Sequence, residues 1–136
     1  MPVTMTGTAL APAVAANPGH LSKTRDNTIK LSIRGLTQAQ MAAYSYGYGG
    51  SAGAPATYAG LTHAQNGAIN DGTQFNSLLI KSAVGADVTS VDAEVTLVPD
   101  PAFAPGDHFW FCIFAVNPPI AGSVPVASIG PFTIAS

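Results

Sequence analysis

Charge is what this 136-residue sequence has least of. Five Lys and Arg with seven Asp and Glu make up 9% of the chain, where an average globular domain carries about 25%. The formal net charge is −2, so no blanket of positive charge exists to neutralise a phosphate backbone, and nucleic acid is not expected as a partner. Cysteine is nearly missing as well. Cys112 stands alone, which excludes an intramolecular disulfide framework and a thiolate ligand cluster. Within Phe109-Trp110-Phe111-Cys112-Ile113-Phe114 it reads as a small buried hydrophobe, with only His108 on the flanks to support a thiolate. No uninterrupted apolar run approaches the ~18 residues that cross a bilayer. Met1-Pro2-Val3-Thr4-Met5 lacks the basic start of a secretion signal, and Pro12 and Pro18 interrupt the apolar stretch behind it. The expectation is a protein made in the cytoplasm, with no membrane partner.

What is present points to β structure. Apolar residues reach 47%, enough to exclude disorder for most of the chain. The 14 Gly and 11 Pro together exceed the roughly 12% of an average chain without a collagen period, so the excess serves turns between short elements. One domain of this length buries roughly two-thirds of the surface its unfolded chain exposes.

Residues 1–22 hold no Asp, Glu, Lys or Arg and show neither helical stripe nor caps, and they read as an extended N-terminal arm on a single domain spanning 23–136. Four basic residues against one acidic residue follow through residue 34, whereas Lys81 alone opposes six acids beyond it. Such asymmetry is a hint of electrostatic complementarity with a partner or a second copy, or simply a solvated strand face. Asn27 to Arg34 alternates, with Ile29, Leu31 and Ile33 on one side and Lys30 and Arg34 on the other, as a half-buried strand requires. Thr37 is placed to cap a short helix from about Gln38 to Tyr46, ended by Gly47. Tyr44, Tyr46 and Tyr48 lead into Gly49-Gly50-Ser51-Ala52-Gly53-Ala54-Pro55, read as a long loop. Residues 60–68 match residues 35–43 at six of nine positions, a weak repeat in an Ala/Gly-rich chain.

The second half reads as strands parted by turn signals. Phe75 to Val84 is apolar-rich with Lys81 facing out; Ser90 to Val98 sets Val91, Ala93, Val95 and Leu97 toward a core; His108 to Val116 is a nearly continuous apolar run, expected as the central strand with both faces covered. The last strand runs through Val124–Val126 and Ser128–Ile134 with an irregularity at Gly130-Pro131. The fold expected is all-β: a two-sheet β-sandwich, jelly-roll or Ig-like, with an extended N-terminal arm and at most one short helix.

No catalytic or metal constellation emerges. His20, His63 and His108 lie in separate segments without ligand spacing, Asp92 and Glu94 fall on an outward face, and Asn66-Gly67 and Asn70-Asp71-Gly72 read as turns. No Gly-x-Ser-x-Gly or Gly-x-x-x-x-Gly-Lys occurs. No cofactor and no catalytic residue is therefore expected. Tyr44, Tyr46, Tyr48 and Tyr58 offer a platform for sugars or a protein surface.

With its charge-poor Ala/Thr/Gly/Pro composition, uncharged leading segment, compact sandwich and lack of a catalytic set, the chain resembles the capsid decoration or cement proteins of tailed bacteriophages, in particular the jelly-roll cement type of a Bordetella podovirus. The resemblance implies synthesis in a host cytoplasm without a signal, binding to the outside of a capsid as a small homo-oligomer (a homodimer foremost), and bridging of major capsid proteins. Thr8, Leu10 and Val14 along the arm are then the first candidate contacts, because extended backbone adds to a neighbour's sheet edge. Lys30 and Arg34 on the basic strand come next, and Tyr46 and Tyr48 complete the set. The rival reading is a carbohydrate- or receptor-binding module that uses the tyrosine-rich loop.

Overall fold

The computed structural model describes residues 4–11, 20–22, 27–36, 40, 43–68, 79–81, 90–97 and 99–135, without the side chains of 8–11, 68, 79–81 and 90–97. These residues form nine strands: β1 Thr4–Ala11, β2 His20–Ser22, β3 Asn27–Arg34, β4 Ser45–Gly50, β5 Thr62–Ala68, β6 Leu79–Lys81, β7 Ser90–Leu97, β8 His108–Phe114 and β9 Pro125–Ala135. They build a four-stranded sheet in the order β1-β3-β7-β6 and a five-stranded sheet in the order β2-β9-β8-β4-β5. Every pairing is antiparallel except that of β2 with β9. The two sheets pack together as a β-sandwich, the all-β fold expected from the sequence.

Two strands follow directly from their patterns. In β3 the alternation buries Ile29, Leu31 and Ile33 and exposes Lys30 and Arg34. β8 lies in the middle of its sheet, between β9 and β4, and its continuous apolar run is covered on both sides. Phe109, Phe111 and Ile113 enter the main core with Leu21, Leu36, Phe132 and Ile134, while Cys112 and Phe114 form a second cluster with Leu61 on the other face. The β7 residues expected in the core, Val95 and Leu97, have side chains outside the described residues.

Several expectations are corrected. The described parts of residues 1–22 do not stand apart as an arm: β1 pairs with β3 from Thr4↔Arg34 to Ala11↔Thr28, and Leu21 is fully buried, while residues 1–3 and 12–19 lie outside the described residues. The reason is Gly7, where a Cβ would lie 2.7 Å from Leu31 Cδ2 and 2.9 Å from the Lys30 carbonyl, so only glycine lets β1 seat this closely. The helix expected to run to Tyr46 stops earlier. Tyr44 N–H donates to the Gln40 carbonyl at 2.7 Å, one helical turn, and Ser45 already begins β4 because its backbone pairs with both β5 and β8. Two-sided ladder pairing overrides the local helical preference there.

The tyrosine-glycine stretch is a strand as far as Gly50, with the loop reduced to the residues that follow. Tyr46 and Tyr48 point inward and stack on Phe111 at centroid distances of 5.6 and 5.9 Å. Gly47 lies on the opposite face, where a Cβ would meet the Phe114 ring at 2.8 Å. Asn66-Gly67 is likewise no turn but part of β5. A Cβ at Gly67 would strike the Tyr46 ring, 2.7 Å from Cζ, so the glycine serves a close approach. Residues 62–68 therefore run in strand, whereas none of the described residues in 35–43, namely 35, 36, 40 and 43, is in a strand. Of the strand expected over Phe75–Val84, Leu79–Lys81 is β6 and the rest lies outside the described residues, as does Asn70-Asp71-Gly72.

Asn27 ties the two sheets together where the chain crosses between them. It is fully buried, its Oδ1 accepts from Ser22 N–H at 2.7 Å, and its Nδ2 donates to the Ser22 carbonyl at 2.9 Å. One amide side chain thus satisfies both backbone groups of the last residue of β2.

Candidate functional site

Charge is distributed unevenly between the sheets. The charged residues that fall on strands are Lys30 and Arg34 in β3, Lys81 in β6, and Asp92 and Glu94 in β7, all in the four-stranded sheet. Strands β2, β9, β8, β4 and β5 carry none. Lys30 is the register partner of Glu94 on the neighbouring strand.

The outer face of the uncharged sheet has its own apolar layer. Residues 51–61 fold back over β8 and β4. Trp110 Nε1 donates to the Ser51 carbonyl at 3.1 Å, and Tyr58 meets Phe114 edge-on at 5.5 Å. Trp110, on the central strand, is therefore half-buried under this layer and packs against the second cluster. Beyond the layer, apolar side chains reach solvent. Among the described residues the large exposed hydrophobics are Val116, Ile120, Val124 and Val126, all between residues 116 and 126, with Ile120 67% and Val124 65% exposed. The segment is held in shape by hydrogen bonds. Tyr58 and Ala59 N–H donate to the Ser123 and Ala121 carbonyls at 2.8 and 3.0 Å, Ser123 N–H donates to the Ile120 carbonyl at 2.9 Å, and the buried Ser45 hydroxyl donates to the Val116 carbonyl. A preformed rim of this kind has little ordering entropy left to lose on contact.

A cleft of about 430 Å³ opens on the other side of the 51–61 layer, lined among others by Gly50, Ser51, Thr62, Phe103, Asp107 and His108. Its side chains are engaged by the loops that form its walls. Ser51 Oγ donates to the Gly53 carbonyl at 2.6 Å, Thr62 Oγ1 donates to the Gly50 carbonyl at 3.3 Å, and Asp107 Oδ2 accepts from Ala104 N–H at 2.8 Å. His108 Nδ1 lies 3.2 Å from the Ala52 carbonyl. A carbonyl only accepts, so Nδ1 is the donor in this contact. His63 adopts φ 49° at the β5 bulge and sets its ring edge against Phe103, 5.2 Å between centroids. Among the described residues no three His, Cys, Asp or Glu side chains gather as a metal site would require. Burial raises the Cys112 thiol to about 12, so it stays protonated at neutral pH and is no nucleophile.

The residues singled out from the sequence do not form one surface. Thr8 and Leu10 lie on the backbone of the edge strand β1 and Val14 is outside the described residues. Lys30 and Arg34 are exposed on the charged sheet, where Arg34 Nη1 donates to the Ile33 carbonyl at 3.2 Å. Tyr46 and Tyr48 are buried, with Tyr48 Oη 3.2 Å from Gln65 Oε1. A tyrosine platform for sugars is therefore not available from these two rings. Neither alternation nor a motif marks the rim at 116–126 in the sequence. Its sequence signal is the complete lack of Asp, Glu, Lys and Arg from His108 to Ser136, which outlasts the strands themselves. No protein-family model matches the chain, and no curated protein matches it.

Proposed function

We propose that this chain is a non-enzymatic structural protein that docks on the outer surface of a viral capsid and stabilises the shell by bridging neighbouring major capsid proteins, acting as a small homo-oligomer. The observation that carries the docking is the uncharged sheet with its apolar rim at Val116, Ile120, Val124 and Val126. Burying this face leaves no charge stripped of water without a partner, whereas each unpaired buried charge would cost several kcal/mol. Interface cores are depleted of charge for that reason. The charged sheet is left to face water. The capsid as partner rests on the resemblance in composition and architecture.

Stabilisation then follows from mass action. A ligand that binds the assembled shell and not the free subunits opposes disassembly by RT ln(1 + [L]/Kd) at each site, ~2.7 kcal/mol at a hundredfold excess over Kd. The test mixes the chain with expanded, undecorated capsid shells. Saturable occupancy and a raised shell dissociation temperature are expected, with occupancy falling at least tenfold for Ile120→Lys and Val124→Lys while circular dichroism stays unchanged. Equal binding to free capsid subunits, or undiminished occupancy by both variants, would overturn the reading.

A further inference from the structure

A sandwich has four sheet edges, and each presents a row of backbone N–H and C=O groups that invites another strand unless it is shortened, bent or charged. Here the edges are β1 and β6 in one sheet and β2 and β5 in the other. Strands β2 and β6 are three residues each. β5 is longer, but its register on β4 breaks between Gly50↔Thr62 and Tyr48↔Gln65, and His63 with φ 49° marks the bulge. Bulges twist an edge away from further pairing. β1 is long too, and its own register shift, between Ala9 and Ala11, leaves Thr4 to Ala9 as a regular stretch without such protection. It spans eight residues, pairs regularly with β3 from Thr4 to Ala9, and contains neither proline nor charge. Among the described residues no strand lies on its outer side.

We propose that the free edge of β1 pairs antiparallel with β1 of a second copy, joining two four-stranded sheets across a twofold axis. The side-chain pattern suits a second copy. Continuing a sheet with its outer face on one side requires positions of like parity to sit opposite each other. Threonines recur at positions 4, 6 and 8, so with Thr6 on the axis, Thr4 falls opposite Thr8 of the other copy and Thr6 opposite itself. Thr–Thr pairs are among the favourable cross-strand pairs, and Thr4 and Thr6 are exposed.

Self-pairing brings like charges together only weakly. Among the described residues the basic ones nearest β1, Lys30 and Arg34, are on β3. β3 and its symmetry mate are separated by three strand spacings, about 14 Å at ~4.8 Å each. That exceeds the ~8 Å screening length at physiological salt. Backbone pairing at the axis therefore outweighs repulsion between the basic strands.

Sedimentation equilibrium of the free chain tests this directly. The wild-type chain is expected to dimerise. Thr6→Lys and Thr6→Glu, each alone, are expected to weaken dimerisation about tenfold or more, because like charges then meet at the axis. An equimolar mixture of the two is expected to restore the dimer, a recovery that mere damage to the fold would not give. Should Thr6→Lys fail to fold by circular dichroism, the double variants Thr4→Lys/Thr8→Lys and Thr4→Glu/Thr8→Glu set like charges opposite each other in the same register, with the same loss alone and recovery on mixing expected. A wild-type chain that stays monomeric at about 100 μM overturns the inference, and so does a Thr6→Lys chain that dimerises as tightly as wild type. The inference is separate from the capsid reading, since it is measured on the free chain and that reading on shells.

Discussion

Replacing Phe111 by alanine should cost 3–5 kcal/mol, and its surroundings place the value in the upper half of that range. Phe111 is fully buried on the middle strand of the five-stranded sheet, in register with Tyr48 on one side and Ile129 on the other. Large-to-small core changes of this type lose the transfer free energy of the removed ring and leave a cavity, ~3–5 kcal/mol in total. Two features keep the cavity from collapsing. The strand is pinned by ladders on both sides, and the neighbouring rings of Tyr46 and Tyr48 lie nearly parallel to Phe111, at interplanar angles of 9° and 13°. Each such ring pair adds about 0.5–1.5 kcal/mol beyond area burial. A loss near 4 kcal/mol is a large part of a domain's ~5–15 kcal/mol. With m about 2 kcal/mol/M in urea, the midpoint should fall by roughly 2 M. Urea denaturation followed by fluorescence reads it, with Phe111→Leu, expected to lose less than alanine because it leaves a smaller cavity, as the size control. A loss below about 1 kcal/mol for alanine would refute the placement of this ring at the centre of the core.

Asn27→Leu should destabilise the chain by about 2–4 kcal/mol, because it removes both hydrogen bonds that the fully buried amide makes to the part-buried Ser22 backbone; a denaturation midpoint within error of wild type would show that water replaces the amide. The pH dependence of stability should carry the mark of Cys112. Its folded value lies near 12 against an ordinary 9.0, so above pH 9 the unfolded chain sheds a proton that the folded chain retains. Stability contributed by the neutral thiol is thus complete below pH 9 and is lost as pH rises toward 12, with Tyr48, also raised by burial, adding to the loss above pH 10. Urea titrations at pH 8 and pH 10 should show a smaller drop for Cys112→Ala than for wild type, and parallel drops would contradict the burial argument.

How legible each element was depends on how local its cause is. Strand β3 and the central β8 could be read from alternation and from a continuous apolar run, because burial of one face or of both imprints directly on neighbouring residues. β4 and β5 could not. Tyr-Gly-Tyr-Gly-Gly and Asn-Gly have the composition of turns, and their glycines make sense only once the Phe114 ring and the Tyr46 ring, distant in sequence, are packed against them. β1 hid for a related reason: its inward position 7 is a glycine lying between Leu31 and Ile129, so the strand shows no hydrophobic stripe. The rim at 116–126 was invisible from hydropathy alone. Val124 and Val126 look like the core residues beside them until burial separates them.

The rim also bears on why the outer layer of residues 51–61 exists where it does. β8 is apolar on both faces, so a second cover over Cys112 and Phe114 is needed for the strand to be central at all, and Leu61 and Tyr58 supply it. Extending that cover to Ile120 and Val124 would have required little more chain, for Tyr58 and Ala59 already hydrogen-bond to Ser123 and Ala121. Instead the cover stops where the exposed hydrophobics begin. In a molecule with a net charge of only −2, an uncovered apolar rim favours association in free solution. Such a liability is consistent with a fold whose rim is occupied in use, and it is the physical reason to test Ile120→Lys on shells before any position on the charged sheet.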